Sequence, residues 1–237
     1  MRAPLPAILS VLLPLLAGCG GAPAPRAPEP PPEPPPAVSR PAMPTPPPAP
    51  PQPARLLSDA EAASLFADAV SRGLPQTDLL LVVDAARGRA ELVCSEGFVA
   101  EWPVSIARAG VGAEAGSNKT PPGWHRAVER IGRGAAPGTM FVSRRPNGRV
   151  LPPSAWRAPD PAEDAILTRV VWLAGLEPGV NAGRGIDSHE RCIYLHGTNQ
   201  EQLLGSPASH GCIRFSNAAI EELFDLADGV ELYCLVR

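Results

Sequence analysis

Between residues 22 and 53 the chain carries 17 of its 32 prolines and almost no branched apolar or aromatic side chain, and that stretch limits how much of the sequence can fold. Proline fixes its own φ and removes an amide donor, and a segment without apolar bulk cannot offset the entropy of ordering itself. Residues 19–54 are therefore expected to form a solvated, disordered linker. Of the 237 residues, about 180 from Leu56 onward remain, rich in Val, Leu, Ile, Trp and Gly, which suits one globular domain. Pro-rich chain extends at about 3.1 Å per residue, so thirty residues span roughly 100 Å. A tether is the expected role, with an inert spacer or a ligand for a Pro-binding module as alternatives.

The start of the chain has its own pattern. Arg2 precedes an apolar run from Leu5 to Leu16, followed by Ala17, Gly18 and Cys19. Residues 1–18 read as an export signal, too short to be a lasting membrane span. Leu16-Ala17-Gly18-Cys19 resembles a bacterial lipobox, which implies acylation of Cys19 and a lipid anchor; a plain secretory signal is the alternative. Gly20 in place of an aspartate favours the outer membrane by the same resemblance. The expected location is thus the cell envelope, facing the periplasm. A net charge of −3 and a pI near 5.8 leave no basic stripe for phosphates, so nucleic acid is not an expected partner.

Ser58-Asp59-Ala60-Glu61 has capping-box spacing, with Leu57 as a staple and Leu65, Phe66, Ala69 and Val70 on one face before Gly73. This predicts a helix and connector over 55–77. Leu79–Asp84, Ala90–Cys94 and Phe98–Ile106 are β-rich runs separated by short turns, expected to pair antiparallel. Thr139–Ser143, Ile166–Leu173 and Cys192–Leu195 add strands between long loops. Asn217 is placed to cap a helix with Ile220, Leu223, Phe224 and Ala227 on one face, stopped by Gly229. Val230–Val236 then returns as a strand. The class is mainly β with one or two flanking helices, without the strand-helix alternation of a doubly wound sheet or a Gly-rich phosphate loop.

The chemistry concentrates in Tyr194-Leu195-His196-Gly197-Thr198 and Ser209-His210-Gly211-Cys212-Ile213-Arg214, with two histidines and a cysteine within 17 residues. A free thiol, pKa about 8.5, needs a base beside it to become a nucleophile. His196, at the exit of its predicted strand, can take that proton and return it to a leaving amine. The amides of Gly211 and Cys212 are candidate oxyanion donors, and Arg214 can hold a carboxylate or orient the loop. The rival is a zinc site of Cys192, His196, His210 and Cys212, whose C-x3-H-x13-H-x-C spacing matches no standard module. Cys94, Cys192 and Cys234 lie in predicted strands of an exported domain, where one disulfide among three candidate pairs competes with three reduced thiols. Trp124, Trp156 and Trp172 lie in or near loops and strands that could line a cleft but read first as core residues, and His125 and His189 are weaker candidates for touching substrate. The Gly-rich stretch 107–118 is expected to be mobile near the cleft, and the 174–190 loop to cover it.

His196-Gly197-Thr198 together with Ser209-His210-Gly211-Cys212-Ile213-Arg214 resembles the signature of YkuD-type L,D-transpeptidases, and Thr120-Pro121-Pro122-Gly123 resembles the family's earlier T-P-x-G turn. The resemblance covers 78–237. It implies a β-rich, sandwich-like fold, Cys212 as nucleophile, His196 as general base, and Ser209, His210, Gly211 and Gly197 shaping the pocket and oxyanion site, without metal or other cofactor. The implied partner is the peptidoglycan stem peptide: the thiolate attacks a tetrapeptide at its L-centre carbonyl, D-Ala leaves, and a thioester is resolved by diaminopimelate, water or a protein lysine. The resemblance also implies a carbapenem adduct on Cys212. A peptidoglycan-binding lipoprotein without turnover and a metal-dependent hydrolase are the rival functions.

Overall fold

The computed structural model describes residues 55–74, 77–157 and 164–237. The expected signal segment, Cys19 and the 19–54 linker lie outside the described residues. The chain runs α1 (Asp59–Ser71), β1 (Leu79–Asp84), β2 (Arg89–Cys94), β3 (Gly97–Pro103), β4 (Gly123–Ile131), β5 (Thr139–Val142), β6 (Arg145–Val150), β7 (Ile166–Gly175), β8 (Tyr194–Thr198), β9 (Ile213–Phe215), α2 (Asn217–Leu226) and β10 (Leu232–Val236). Ten strands form one mixed sheet in the order β3-β2-β1-β10-β4-β7-β5-β6, with β8 paired to β7 and β9 to β8. The sheet is not closed into a barrel. The β-rich class with two flanking helices is the expected one.

β1 reads as an unbroken apolar run because both its faces are covered. Leu79, Leu81 and Val83 join Ile220, Leu223 and Phe224 of α2, while Leu80 and Val82 join Ala62 and Ala69 of α1. Alternate residues of a strand face opposite ways, so the two helices lie on opposite faces of the sheet. β1, β2 and β3 pair antiparallel as expected. β1 also pairs in parallel with β10, Leu81 opposite Cys234. The capping box at Ser58 is formed in both directions.

Several boundaries differ from the sequence reading. The strand expected over Phe98–Ile106 stops at Pro103, and the last one starts at Leu232 instead of Val230. The cap of α2 is Ser216, whose hydroxyl accepts the Ala219 amide. Asn217 is the first helical residue, and its buried side chain instead donates to the Thr198 carbonyl at 2.8 Å. The strand expected over Cys192–Leu195 is shifted to Tyr194–Thr198; Cys192 sits at φ 57, left-handed backbone that interrupts the extended run ahead of β8.

Candidate active site

β8 and β9 run parallel with Leu195 opposite Ile213 and His196 opposite Arg214. Leu195, Ile213 and Phe215 pack into the core on the α2 side, so Tyr194, His196, Cys212 and Arg214 share the other face. His196 thus lies inside its strand, not at the exit. No side chain fits at Gly197: a Cβ there would lie 2.5 Å from Asn217 Oδ1 and 2.8 Å from the Leu167 carbonyl.

His196 is 2% exposed, with Nδ1 2.8 Å from the Gly197 carbonyl. A carbonyl only accepts, so Nδ1 carries the proton and Nε2 keeps its lone pair. Burial pulls the imidazole pKa below its usual value, against the opposing pull of the Gly197 carbonyl and the Asp164 charge. The Cys212 thiol accepts the Tyr194 amide at 3.4 Å and donates to the Cys192 carbonyl at 3.4 Å. Burial pushes it up to about 12. The resting pair is therefore neutral thiol and neutral imidazole.

The loop carrying Cys212 is held by hydroxyls. Ser209 Oγ donates to the Cys212 carbonyl at 2.5 Å and accepts the Gly211 amide at 3.2 Å. The Gly211 amide, expected as an oxyanion donor, is thereby occupied. Thr120 Oγ1 donates to the Gly211 carbonyl at 2.9 Å and accepts the Ala107 amide at 2.9 Å, which gives the threonine of the Thr120-Pro121-Pro122-Gly123 turn a physical task. Gly123 has φ 89, and a Cβ there would meet the Glu177 carboxylate at 2.1 Å, the group that accepts the Trp124 amide.

Arg214 is buried. It donates to Gln200 Oε1 at 2.9 Å and to Asp164, so it orients protein groups. His210 Nδ1 donates to the same Asp164 carboxylate at 3.1 Å. Burial would raise the Asp164 pKa, but the Arg214 charge and the hydrogen bonds from His210 and Arg214 hold it below the usual carboxylate value. Sequence reasoning missed Asp164, which no local spacing ties to residues some fifty positions away.

Cys212 and His210 open on a cavity of about 350 Å³, walled by Ala115, Gly116 and Asn118 on one side and Gly185, Asp187, Glu190 and Arg191 on the other. These walls belong to or adjoin the two Gly-rich stretches singled out in the sequence. The loops are joined: the Ala115 amide donates to the Gly185 carbonyl at 2.7 Å, and Arg191 donates to the carbonyls of Gly112, Ala113 and Lys119.

Other candidates fall elsewhere. Cys94, Cys192, Cys212 and Cys234 are all free thiols, so the disulfide alternative is not the one adopted. Among the described residues no three His, Cys, Asp or Glu side chains form a metal-holding group. The zinc quartet does not assemble: Cys192 Sγ turns to the Glu190 carbonyl at 3.8 Å, and His210 to Asp164. Trp124 is core, Trp156 donates to the Leu151 carbonyl, and Trp172 is stacked on His189 at 3.8 Å. His125 is fully buried between the Gly123 carbonyl and Ser188, and its pKa falls to about 4, chiefly by burial. No described helix is long and apolar enough to cross a membrane.

Residues 78–231 match the family model for the YkuD L,D-transpeptidase catalytic domain. No curated protein matches the chain. Among solved structures, an L,D-transpeptidase from Mycobacterium smegmatis is 18% identical, over 69% of this chain and 60% of that one, with a TM-score of 0.40. One from Xylanimonas cellulosilytica is 18% identical over 72% and 68%, TM-score 0.42. L,D-transpeptidase 3 from Mycobacterium tuberculosis, solved with a faropenem-derived adduct, is 13% identical over 69% and 62%, TM-score 0.40. The chain spans less than two thirds of the length of the two mycobacterial proteins.

Proposed function

The chain belongs to the YkuD family of L,D-transpeptidase catalytic domains, and on that premise we propose that it is a cysteine acyltransferase of peptidoglycan tetrapeptide stems. The observation that carries the reading is the Nδ1 bond of His196 to the Gly197 carbonyl, which leaves Nε2 unprotonated on the face that Cys212 shares. In the first half-reaction the Cys212 proton passes to His196 Nε2 as sulfur attacks the L-centre carbonyl. Collapse of the tetrahedral intermediate breaks the bond to D-Ala, whose nitrogen takes the proton from His196, and a thioester remains. An incoming amine then attacks the thioester, losing a proton as the thiol is restored.

Because the Gly211 amide is held by Ser209, the Cys212 amide is the candidate oxyanion donor. Asp164, Arg214 and Gln200 brace the His210 side of the loop. Lipidation at Cys19 and anchorage in the envelope belong to the same proposal and rest on the lipobox resemblance. No cofactor is needed for the chemistry as written.

The test is mass spectrometry of the full chain and its Cys212→Ala variant after incubation with a disaccharide tetrapeptide carrying diaminopimelate. Crosslinked dimer from the unmodified chain alone supports transpeptidation. Tripeptide and free D-Ala alone indicate an L,D-carboxypeptidase using the same residues. Full D-Ala release by Cys212→Ala overturns the role of the cysteine, and no turnover with retained binding moves the reading to a wall-binding lipoprotein.

A further inference from the structure

The β5–β6 hairpin turns on Ser143 and Arg144, between the paired residues Val142 and Arg145, with φ 48 and 65. Two-residue turns of this hand favour Asn-Gly, and neither residue present is suited to them. The turn does, however, fix the position of Arg144. Its guanidinium lies 4.1 Å from the centre of the Trp172 ring, while His189 stacks on Trp172 at 3.8 Å and 10°, so the indole is sandwiched. Nη1 donates to the Tyr194 hydroxyl at 3.3 Å and lies 4.0 Å from Cys192 Sγ.

Tyr194 and Cys192 are the two residues whose backbones contact Cys212 Sγ. A half-buried cation is thus packed against both neighbours of the nucleophile. Nε and Nη2 make no hydrogen bond among the described residues, and this edge of a guanidinium is the two-donor fork that fits a carboxylate. The cation–π contact with the indole holds the guanidinium carbon over the ring. Arg191, on the cavity wall, already donates to three loop carbonyls.

We propose that Arg144 binds a carboxylate of the donor stem and so determines which stems are used. The proposal rests on the reading that Cys212 is acylated by such a stem. A tetrapeptide offers two carboxylates close to the attacked carbonyl: that on the side chain of the third residue, and the terminal one on the departing D-Ala. Each is one side chain or one residue from the reacting carbon, and Arg144 is separated from Sγ by one intervening residue.

The experiment uses the full chain, unmodified and as Arg144→Asn, which tolerates positive φ, and Arg144→Lys, which keeps the charge and loses the fork. Three stems are compared: both carboxylates free, the third-residue side chain amidated, and the C-terminus amidated. Release of the fourth residue gives kcat and KM, and calorimetry on Cys212→Ala with and without Arg144→Asn gives binding. In the unmodified chain one amidation should raise KM roughly tenfold to a hundredfold, the effect of losing a charge-assisted hydrogen bond, with kcat little changed. Arg144→Asn should bind the free stem as weakly as the amidated one, and Arg144→Lys should fall between. The sensitive amidation identifies the carboxylate.

Indifference of the unmodified chain to both amidations overturns the proposal. So does an Arg144→Asn variant that loses turnover of all three stems equally, the mark of a structural prop. If the unmodified chain releases no fourth residue from any stem, the proposed function fails, yet a calorimetric preference for the free carboxylate that Arg144→Asn abolishes still upholds Arg144. Should Arg144→Asn not fold, Arg144→Lys and the stem comparison decide.

Discussion

A thiol pushed up to about 12 on the same face as an imidazole pulled below its usual value gives two groups of which neither is charged at neutral pH, since burial penalises both ionic forms. On the proposed mechanism the thiolate is then made only when a carbonyl is present to receive the developing charge, and the free chain carries little of it to be lost to side reactions. Alkylation by iodoacetamide, which consumes thiolate, should therefore rise with pH without a plateau until the thiol titrates near about 12. A plateau at neutral pH would reveal a resting ion pair instead. The same shift has a stability consequence: a pKa raised in the folded state gives a contribution fully present below the unfolded thiol value and lost as pH rises through the folded one. The buried Cys234, also pushed up to about 12 by burial, adds to that alkaline loss. At this scale the proposed nucleophile and its proposed base could be picked out from sequence, because each sits in a contiguous signature. Asp164 and Arg144 could not, because each reaches the site only through pairings across the fold.

Among the elements, α1 is bound to the sheet by a small apolar face and, through the residues just before it, by one carboxylate. Of its 13 residues only Ala62 and Ala69 are buried, with Leu65 and Phe66 half-buried. Glu91 on β2, itself fully buried, accepts the Leu56 amide at 2.6 Å and the Leu57 amide at 3.2 Å and pairs with Arg55 at 3.3 Å. Glu91→Leu strands two buried amides, while Arg55 keeps its ion pair with Asp59, and should cost about 2–5 kcal/mol; Glu91→Gln keeps an acceptor and should cost about half as much. Urea unfolding gives both values, and a Glu91→Leu protein as stable as the parent would show that α1 docks without the tether. The helix itself was predictable because a capping box is local, and β1 to β3 because short turns separate apolar runs. β4 was missed: Arg126, Glu129 and Arg130 break its apolar pattern, since part of one face meets solvent. β6, Arg-Pro-Asn-Gly-Arg-Val, is exposed throughout, so hairpin pairing to β5 holds it with no hydrophobic period to announce it. β8 was misplaced because only the backbone reveals the left-handed φ of Cys192.

Across the whole molecule, the strand that comes last in sequence stands in the middle of the sheet. β10 joins β1 in parallel on one side and β4 antiparallel on the other, so among the described residues it is the link in the strand order between β3-β2-β1 and the strands that carry the site. A central position for a terminal segment cannot be inferred from hydrophobic pattern, because pairing partners some 110 to 150 residues away leave no local trace. Leu232, Tyr233, Cys234 and Val236 are all buried, and at about 1.5–3 kcal/mol for each of the three large side chains they contribute on the order of 5–9 kcal/mol. That is comparable to the whole stability of an ordinary domain, about 5–15 kcal/mol. Removing residues 230–237, although it leaves every proposed catalytic residue in place, should therefore abolish both the cooperative thermal transition and acylation of Cys212 by stem peptide. Circular dichroism and intact mass measure the two losses. A truncated chain that still melts cooperatively and still forms the thioester would mean that α2 and the loops around 105–120 can hold β8 and β9 against β7 without the N-terminal half of the sheet.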